Sequence, residues 1–188
     1  VGNAFAKKIV FPAGSPDRER RMSGAEDKGG PFRQAAWPRL RMRLFHLYFL
    51  LARPMTLGVR GVIHDEARNA VFLIRHTYVP GWQLPGGGVE RGETTLDALL
   101  REVREECDLE VEGMPRLASM HFNPHASPRD HVAVYVVRAF RGSGLKAPDK
   151  EIAEAGFFPL DALPQDVTPG TARRLAEIFG GEPPSPYW

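Results

Sequence analysis

The chain has 188 residues, 43% of them hydrophobic, and a formal net charge of +2, which describes one ordinary globular domain with some extra chain. Its single cysteine, Cys107, excludes a disulfide framework and a cysteine-based zinc site and fits a cytoplasmic protein. The charge is uneven: residues 1–53 carry 11 Lys and Arg against 4 Asp and Glu (+7), residues 54–188 carry 14 against 19 (−5), so a basic arm joined to an acidic domain is predicted.

Residues 1–37 are rich in Gly, Pro, Arg, Lys and Asp without periodicity and are expected to be disordered. Val1–Val10 holds Lys7 and Lys8 in a short, weakly apolar run that does not read as a secretory signal. Residues 38–54, bracketed by Pro38 and Pro54, predict an accessory amphipathic helix with Arg39, Arg41 and Arg43 at its front and Leu44–Ala52 behind. That uncharged run is far shorter than the roughly 18 residues that span a bilayer. An exposed Leu44–Leu51 face would favour a homodimer. Because the arginines stand at the leading end rather than along one face, a membrane surface is the weaker alternative.

Residues 55–181 form the expected folded domain. Thr56–Ile63 and Ala70–His76 read as two buried strands joined by a turn. Tyr78 lies in a loop ahead of the glycines, where substrate contact is expected. Trp82 is expected to pack beneath that loop, with base stacking as the rival reading. Pro85-Gly86-Gly87-Gly88 lets backbone approach a ligand or a helix closely, since no Cβ intervenes.

Thr94 and Asp97 form a capping-box pattern, which starts a helix near Thr95. Leu96, Leu99, Leu100, Val103 and Cys107 recur at steps of three and four and define its buried side. Glu102, Glu105 and Glu106 share another side. Taken alone, they could be a solvated acidic face. Carboxylates this close repel one another unless a cation sits among them, and a hard divalent ion such as Mg2+ takes oxygen ligands. The preceding glycines and Glu93, at fixed separations, favour that second reading. Asp108 closes the helix where a left-handed residue is often needed, a conformation that aspartate tolerates at a cost of about 1 kcal/mol or less.

Beyond the helix, Arg116–Phe122 and His131–Phe140 read as strands flanking a polar loop, residues 123–130. His121, His125 and His131 match no ordinary zinc spacing. Thr168–Gly180 predicts a closing helix with Leu175, Ile178 and Phe179 inward. The proline-rich residues 182–188 are expected to form a loose tail.

The stretch Gly86–Leu109, with Gly87, Glu93, Arg101-Glu102-Val103 and Glu105-Glu106 at their separations, resembles the Nudix box; Asp108 replaces its usual glycine. The resemblance implies a Nudix hydrolase with an α/β/α sandwich around a mixed sheet, here with an extra N-terminal helix. It implies metal-dependent cleavage of the pyrophosphate bond in a nucleoside diphosphate linked to another group. Pro124, fifteen residues past Leu109, resembles a mark of members acting on ADP-ribose, so ADP-ribose or a similar NDP-sugar is favoured. A nucleoside triphosphate pyrophosphohydrolase and a non-catalytic nucleotide sensor are the alternatives. By the same resemblance Glu102, Glu105 and Glu106 would be ligands of Mg2+ (or Mn2+), and Glu93 and Arg101 a structural brace. Gly86, Gly87 and Tyr78 would meet the substrate. Glu102 or Glu151 would act as base, with Glu105 and Arg101 also in the catalytic set. Lys150–Leu160 resembles the segment entering the last core strand; Glu151 aligns best there and Glu154 is its rival. The expected partner is a small nucleotide rather than a nucleic acid polymer.

Overall fold

The structure, a computed structural model, describes residues 55–188 together with Met42, Leu44 and Phe45. The predicted arm lies outside the described residues. So does the accessory helix, apart from those three residues, whose backbone is helical.

Strand β1 (Thr56–Asp65) is the axis of the fold. It pairs in parallel with β6 (Asp130–Val137) from Thr56↔Asp130 to Ile63↔Val137, and β5 (Arg116–Phe122) lies antiparallel on the far side of β6. β2 (Ala70–His76) pairs with β1 only at the hairpin end, His64↔Val71 and Asp65↔Ala70. It then diverges to pair antiparallel with β8 (Ile152–Pro159) and with the short β3 (Trp82–Gln83). The glycine segment fills the gap this leaves along β1. Gly61 N–H donates to Pro85 O (2.8 Å), Val59 N–H to Gly87 O (2.9 Å), and Val89 N–H to Leu57 O (2.8 Å). The loop is thereby satisfied as an extra strand would be, which keeps its backbone polar groups paired in a buried place.

Two helices cover the two faces. Helix α1 (Thr95–Cys107) packs Leu99, Val103 and Cys107, all fully buried, against Val59, Ile63, Phe72 and Ile74. Its partner α2 (Pro169–Phe179) packs Leu175 with Val62, Leu73, Trp82 and Val134, and sets Ile178 and Phe179 against that cluster. The sandwich and its mixed sheet are as the sequence predicts. Full burial of each such side chain is worth about 1.5–3 kcal/mol, so the two layers are held chiefly by these contacts.

Three expectations need correction. The strand predicted as His131–Phe140 ends at Val137. Arg138 turns outward to pair with Glu66 (2.7 Å), and β7 (Phe140–Arg141) pairs instead with β4 (Glu110–Val111), stacking Phe140 on Phe157 at 5.6 Å. Glu106, expected on the polar side of its helix, is only 9% exposed. The tail after Glu182 is fastened rather than loose. Phe122 N–H donates to Pro186 O (2.8 Å) and Trp188 N–H to Phe122 O (2.9 Å), so the tail extends the sheet locally beyond β5. His121, Arg173, Arg174 and Glu177 hold the same segment through Ser185, Tyr187 and Trp188.

Candidate active site

Local sequence sets α1 in place at both ends. Asp97 N–H donates to Thr94 Oγ1 (3.1 Å) and Thr94 N–H to Asp97 Oδ2 (3.0 Å), closing the predicted capping box. At the other end Asp108 takes the left-handed conformation, φ 54° and ψ 41°, and its N–H reaches Arg104 O at 3.2 Å. The helix therefore stops at Cys107, whose thiol burial pushes well above its ordinary pKa, as an inert core group.

Helix and glycine loop meet through Glu106. Gly86 N–H donates to Glu106 Oε2 at 2.6 Å, a contact only a close backbone approach permits. Gly86 sits at φ +136°, and a Cβ there would overlap the carbonyl of Val59. A Cβ on Gly87 would overlap the carboxylate of Glu102, which lies directly against the loop. Burial pushes the Glu106 carboxyl up to about 7; Gly86 N–H and Arg60 pull it down, and the charges of Glu102 and Glu151 push it up. His76 Nε2 lies 3.8 Å from Glu106 Oε1, but burial, then Arg60, holds the imidazole below its usual pKa. His76 is thus a neutral neighbour near pH 7 rather than a countercharge.

Arg101 is the hub of the exposed side. Its Nη2 donates to Glu93 Oε1 (3.0 Å) and Gly88 O (3.1 Å), and its Nη1 to Glu102 Oε1 (2.7 Å) and Glu105 Oε2 (3.4 Å). The predicted Glu93–Arg101 pair is present, and it also fastens the third glycine of the loop. Glu93 is correspondingly held below the usual carboxylate range, first by its hydrogen bond from Arg101. Glu105, with its side chain 61% exposed, stands at the rim.

Among the described residues no three His, Cys, Asp or Glu side chains converge closely enough, as they lie, to hold a metal ion. Arg101 supplies the cation among Glu93, Glu102 and Glu105. The donor chemistry still fits a hard divalent ion. Three carboxylates rise from one helix, and one of them, Glu106, is desolvated without a full countercharge, a state that a cation relieves.

Glu151 precedes β8, and its carbonyl accepts from Thr77 N–H at 2.9 Å. Its side chain is exposed, yet its charge acts on both Glu106 and His76. Glu154, the rival, is instead paired with Arg75, whose guanidinium lies 5.5 Å from the Trp82 ring on the α2 side of the sheet. Tyr78 is 68% exposed, with its ring 5.2 Å from His76. Trp82 is buried against Phe158 (4.6 Å), where it packs and cannot stack on a base. The three histidines do not meet: His121 is buried between Ser119 and Ser185, His125 is exposed, and His131 lies against Phe122.

Two site residues escaped the sequence reading. Arg60 Nη1 donates to Leu84 O (2.9 Å) and Gly86 O (2.6 Å), and His76 flanks Glu106. A lone charge inside the otherwise apolar strand TLGVRGVI was the available signal for Arg60. His76, at a strand end, offered none.

The family model of the NUDIX domain matches residues 54–178. The chain belongs to the Nudix hydrolase family. It is 35% identical over 130 residues to an ADP-ribose pyrophosphatase of Methanocaldococcus jannaschii, covering 67% of this chain and 74% of that one. It is 38% identical over 111 residues to the NAD-capped RNA hydrolase NudC of Pectobacterium atrosepticum; there the match covers 57% of this Nudix chain and only 41% of the relative. Among solved structures, an ADP-ribose pyrophosphatase from Streptococcus suis superposes with a TM-score of 0.55 at 26% identity, covering 72% of this chain and 97% of that one. Dependence on a divalent metal is general for the family. No helix among the described residues is long and apolar enough to cross a membrane.

Proposed function

We propose that this Nudix hydrolase cuts the pyrophosphate bond of a nucleoside diphosphate linked to another group, with ADP-ribose or a similar NDP-sugar as substrate and Mg2+ as cofactor, Mn2+ substituting. The observation that carries this is the closure of the glycine loop on the acidic helix: Gly86 N–H on Glu106, Glu102 against Gly87. A merely solvated acidic face would have no reason to bury one of its carboxylates against a backbone amide. The intact set of Glu102, Glu105 and Glu106 also weighs against a non-catalytic sensor.

Glu102, Glu105 and Glu106 would hold the ion. When bound, it would offset the charge of the diphosphate and acidify a water molecule. The oxygen of water attacks one phosphorus, the bridging P–O bond breaks, and two phosphate-bearing products leave. A carboxylate takes the water proton. Glu151 is the better placed base, because no hydrogen bond occupies its carboxylate among the described residues while Glu102 Oε1 already accepts from Arg101. Glu102 is the second choice. Tyr78, Gly86 and Gly87 would line the substrate, and Arg101 with Glu93 would hold the loop in register.

The preference for an NDP-sugar rests on the archaeal and streptococcal relatives, both named ADP-ribose pyrophosphatases. A second reading, a capped RNA end, is favoured by the NudC relative and by the +7 charge of residues 1–53. The experiment is a screen of ADP-ribose, other NDP-sugars, nucleoside triphosphates and NAD-capped RNA with Mg2+ or Mn2+, detecting phosphate after phosphatase coupling and cap loss by gel. ADP-ribose or an NDP-sugar is expected to turn over fastest. Turnover of capped RNA alone would replace the small-nucleotide reading, and turnover of none would remove both.

A further inference from the structure

Arg60 is a positive charge set into the central strand, flanked in sequence by the buried Val59 and Gly61. Its Nη1 is tied to the carbonyls on either side of Pro85, which fixes the guanidinium beside the glycine loop. Nε and Nη2 have no hydrogen-bond partner among the described residues, and neither is sealed from solvent. Burial disfavours the charge on Arg60, and the carboxylates of Glu106, Glu102 and Asp130 offset this.

A guanidinium is a costly brace, since a half-buried charge must be compensated and two carbonyls could be met by a neutral donor. Its compensation here comes from Glu106 and Glu102, two of the carboxylates assigned above to a divalent ion. Once those are engaged by that ion, Arg60 is left a cation beside a cation. The group that restores balance is the anion arriving with the metal. Arginine suits it, because its planar fork can keep one amino group on the carbonyls and present the rest to oxygens.

We propose that Arg60 contacts the substrate diphosphate, donating from Nη2 and Nε to a non-bridging phosphate oxygen. The residue thus couples loop closure to phosphate binding: the hand that holds Leu84 and Gly86 is the hand that reads the anion. This rests on the diphosphate reading above.

The test uses the full chain and α,β-methylene-ADP, a diphosphate that cannot be cut, titrated calorimetrically with Mg2+ present. Mn2+ binding without nucleotide is followed separately by electron paramagnetic resonance. Arg60→Met is expected to weaken the analogue by about tenfold or more while Mn2+ affinity stays within about twofold. Analogue affinity within about twofold of the parent overturns the assignment and leaves the diphosphate reading standing. Loss of Mn2+ affinity in step with the analogue reduces Arg60 to a loop brace and also overturns it. If the parent itself does not bind the analogue, the diphosphate reading falls and takes this inference with it. Should Arg60→Met fail to fold, Arg60→Lys decides: an analogue weakened by about threefold or more with Mn2+ unchanged supports the contact, whereas both unchanged or both weakened overturn it.

Discussion

At the scale of single residues, Glu106 and Asp108 show how two neighbours on one helix end serve different demands. Glu106 is buried so that its carboxylate can meet Gly86 N–H, and burial holds its carboxyl up at about 7. Replacing it by glutamine keeps the shape and an acceptor for Gly86 but removes the charge. Glu106→Gln should therefore fold, with an unchanged far-UV spectrum, and lose about 100-fold or more of its Mg2+-dependent turnover, as loss of even an indirect metal partner costs 10–100-fold. Turnover like that of the parent would show that the ligand set is wrong. Asp108 carries only conformational strain, at φ 54°. Asp108→Gly should raise stability by up to about 1 kcal/mol in urea unfolding without touching turnover, because the side chain lies beyond the last turn of α1.

At the scale of elements, the glycine loop and the tail each depend on close approach. A methyl group on Gly86 would meet the rigid backbone of Val59 at a positive φ, whereas one on Gly87 would meet the flexible end of Glu102. Gly86→Ala should thus cost more than about 3 kcal/mol of stability, and Gly87→Ala less than about 1 kcal/mol, with turnover lost in both. Thermal unfolding alongside the activity assay separates the two cases. In the tail, His121 Nδ1 meets Ser185 O at 2.7 Å and Nε2 meets Ser119 Oγ at 2.7 Å. Burial holds the His121 ring below the ordinary histidine pKa, and the charge of Arg174 adds to this. The unfolded chain therefore takes up the proton more readily than the folded one. The stability His121 contributes is fully present above about pH 6.5 and is lost as the pH falls below that toward the folded value. Urea midpoints at pH 7.5 and 5.5 should differ less in His121→Gln than in the parent. An equal difference in both would mean that other groups set the slope.

For the whole molecule, the two helices serve separate ends of one design. Helix α1 brings the carboxylates to the split between β1 and β2, while α2 and the tail close the opposite face. Every residue of the candidate site lies at Arg60 or later, so a chain cut before Met55 is expected to keep its hydrolysis of small nucleotides. Loss of turnover in a folded truncation, judged by circular dichroism, would place an essential group in the first 54 residues.

Much of this was legible in one dimension. Capping pairs, the apolar spacing of Leu99, Val103 and Cys107, and the left-handed stop at Asp108 are local properties, fixed by bonds and contacts within a turn or two of chain. The Nudix spacing is local in the same sense, since it records which residues must ride one helix beside one loop. Other features lay out of reach because they join residues far apart in sequence. Arg60 reaches Leu84 and Gly86 only because β2 leaves β1 after two pairs and opens a place for the loop. Glu106 is buried because that same loop closes over it, and residues 182–188 are held because the edge of β5 at Phe122 lies open to them. Sequence alone determined which side chains the site has to work with. Tertiary structure decided which are desolvated and which stay wet, because water is excluded by the whole packed sheet and not by any one segment.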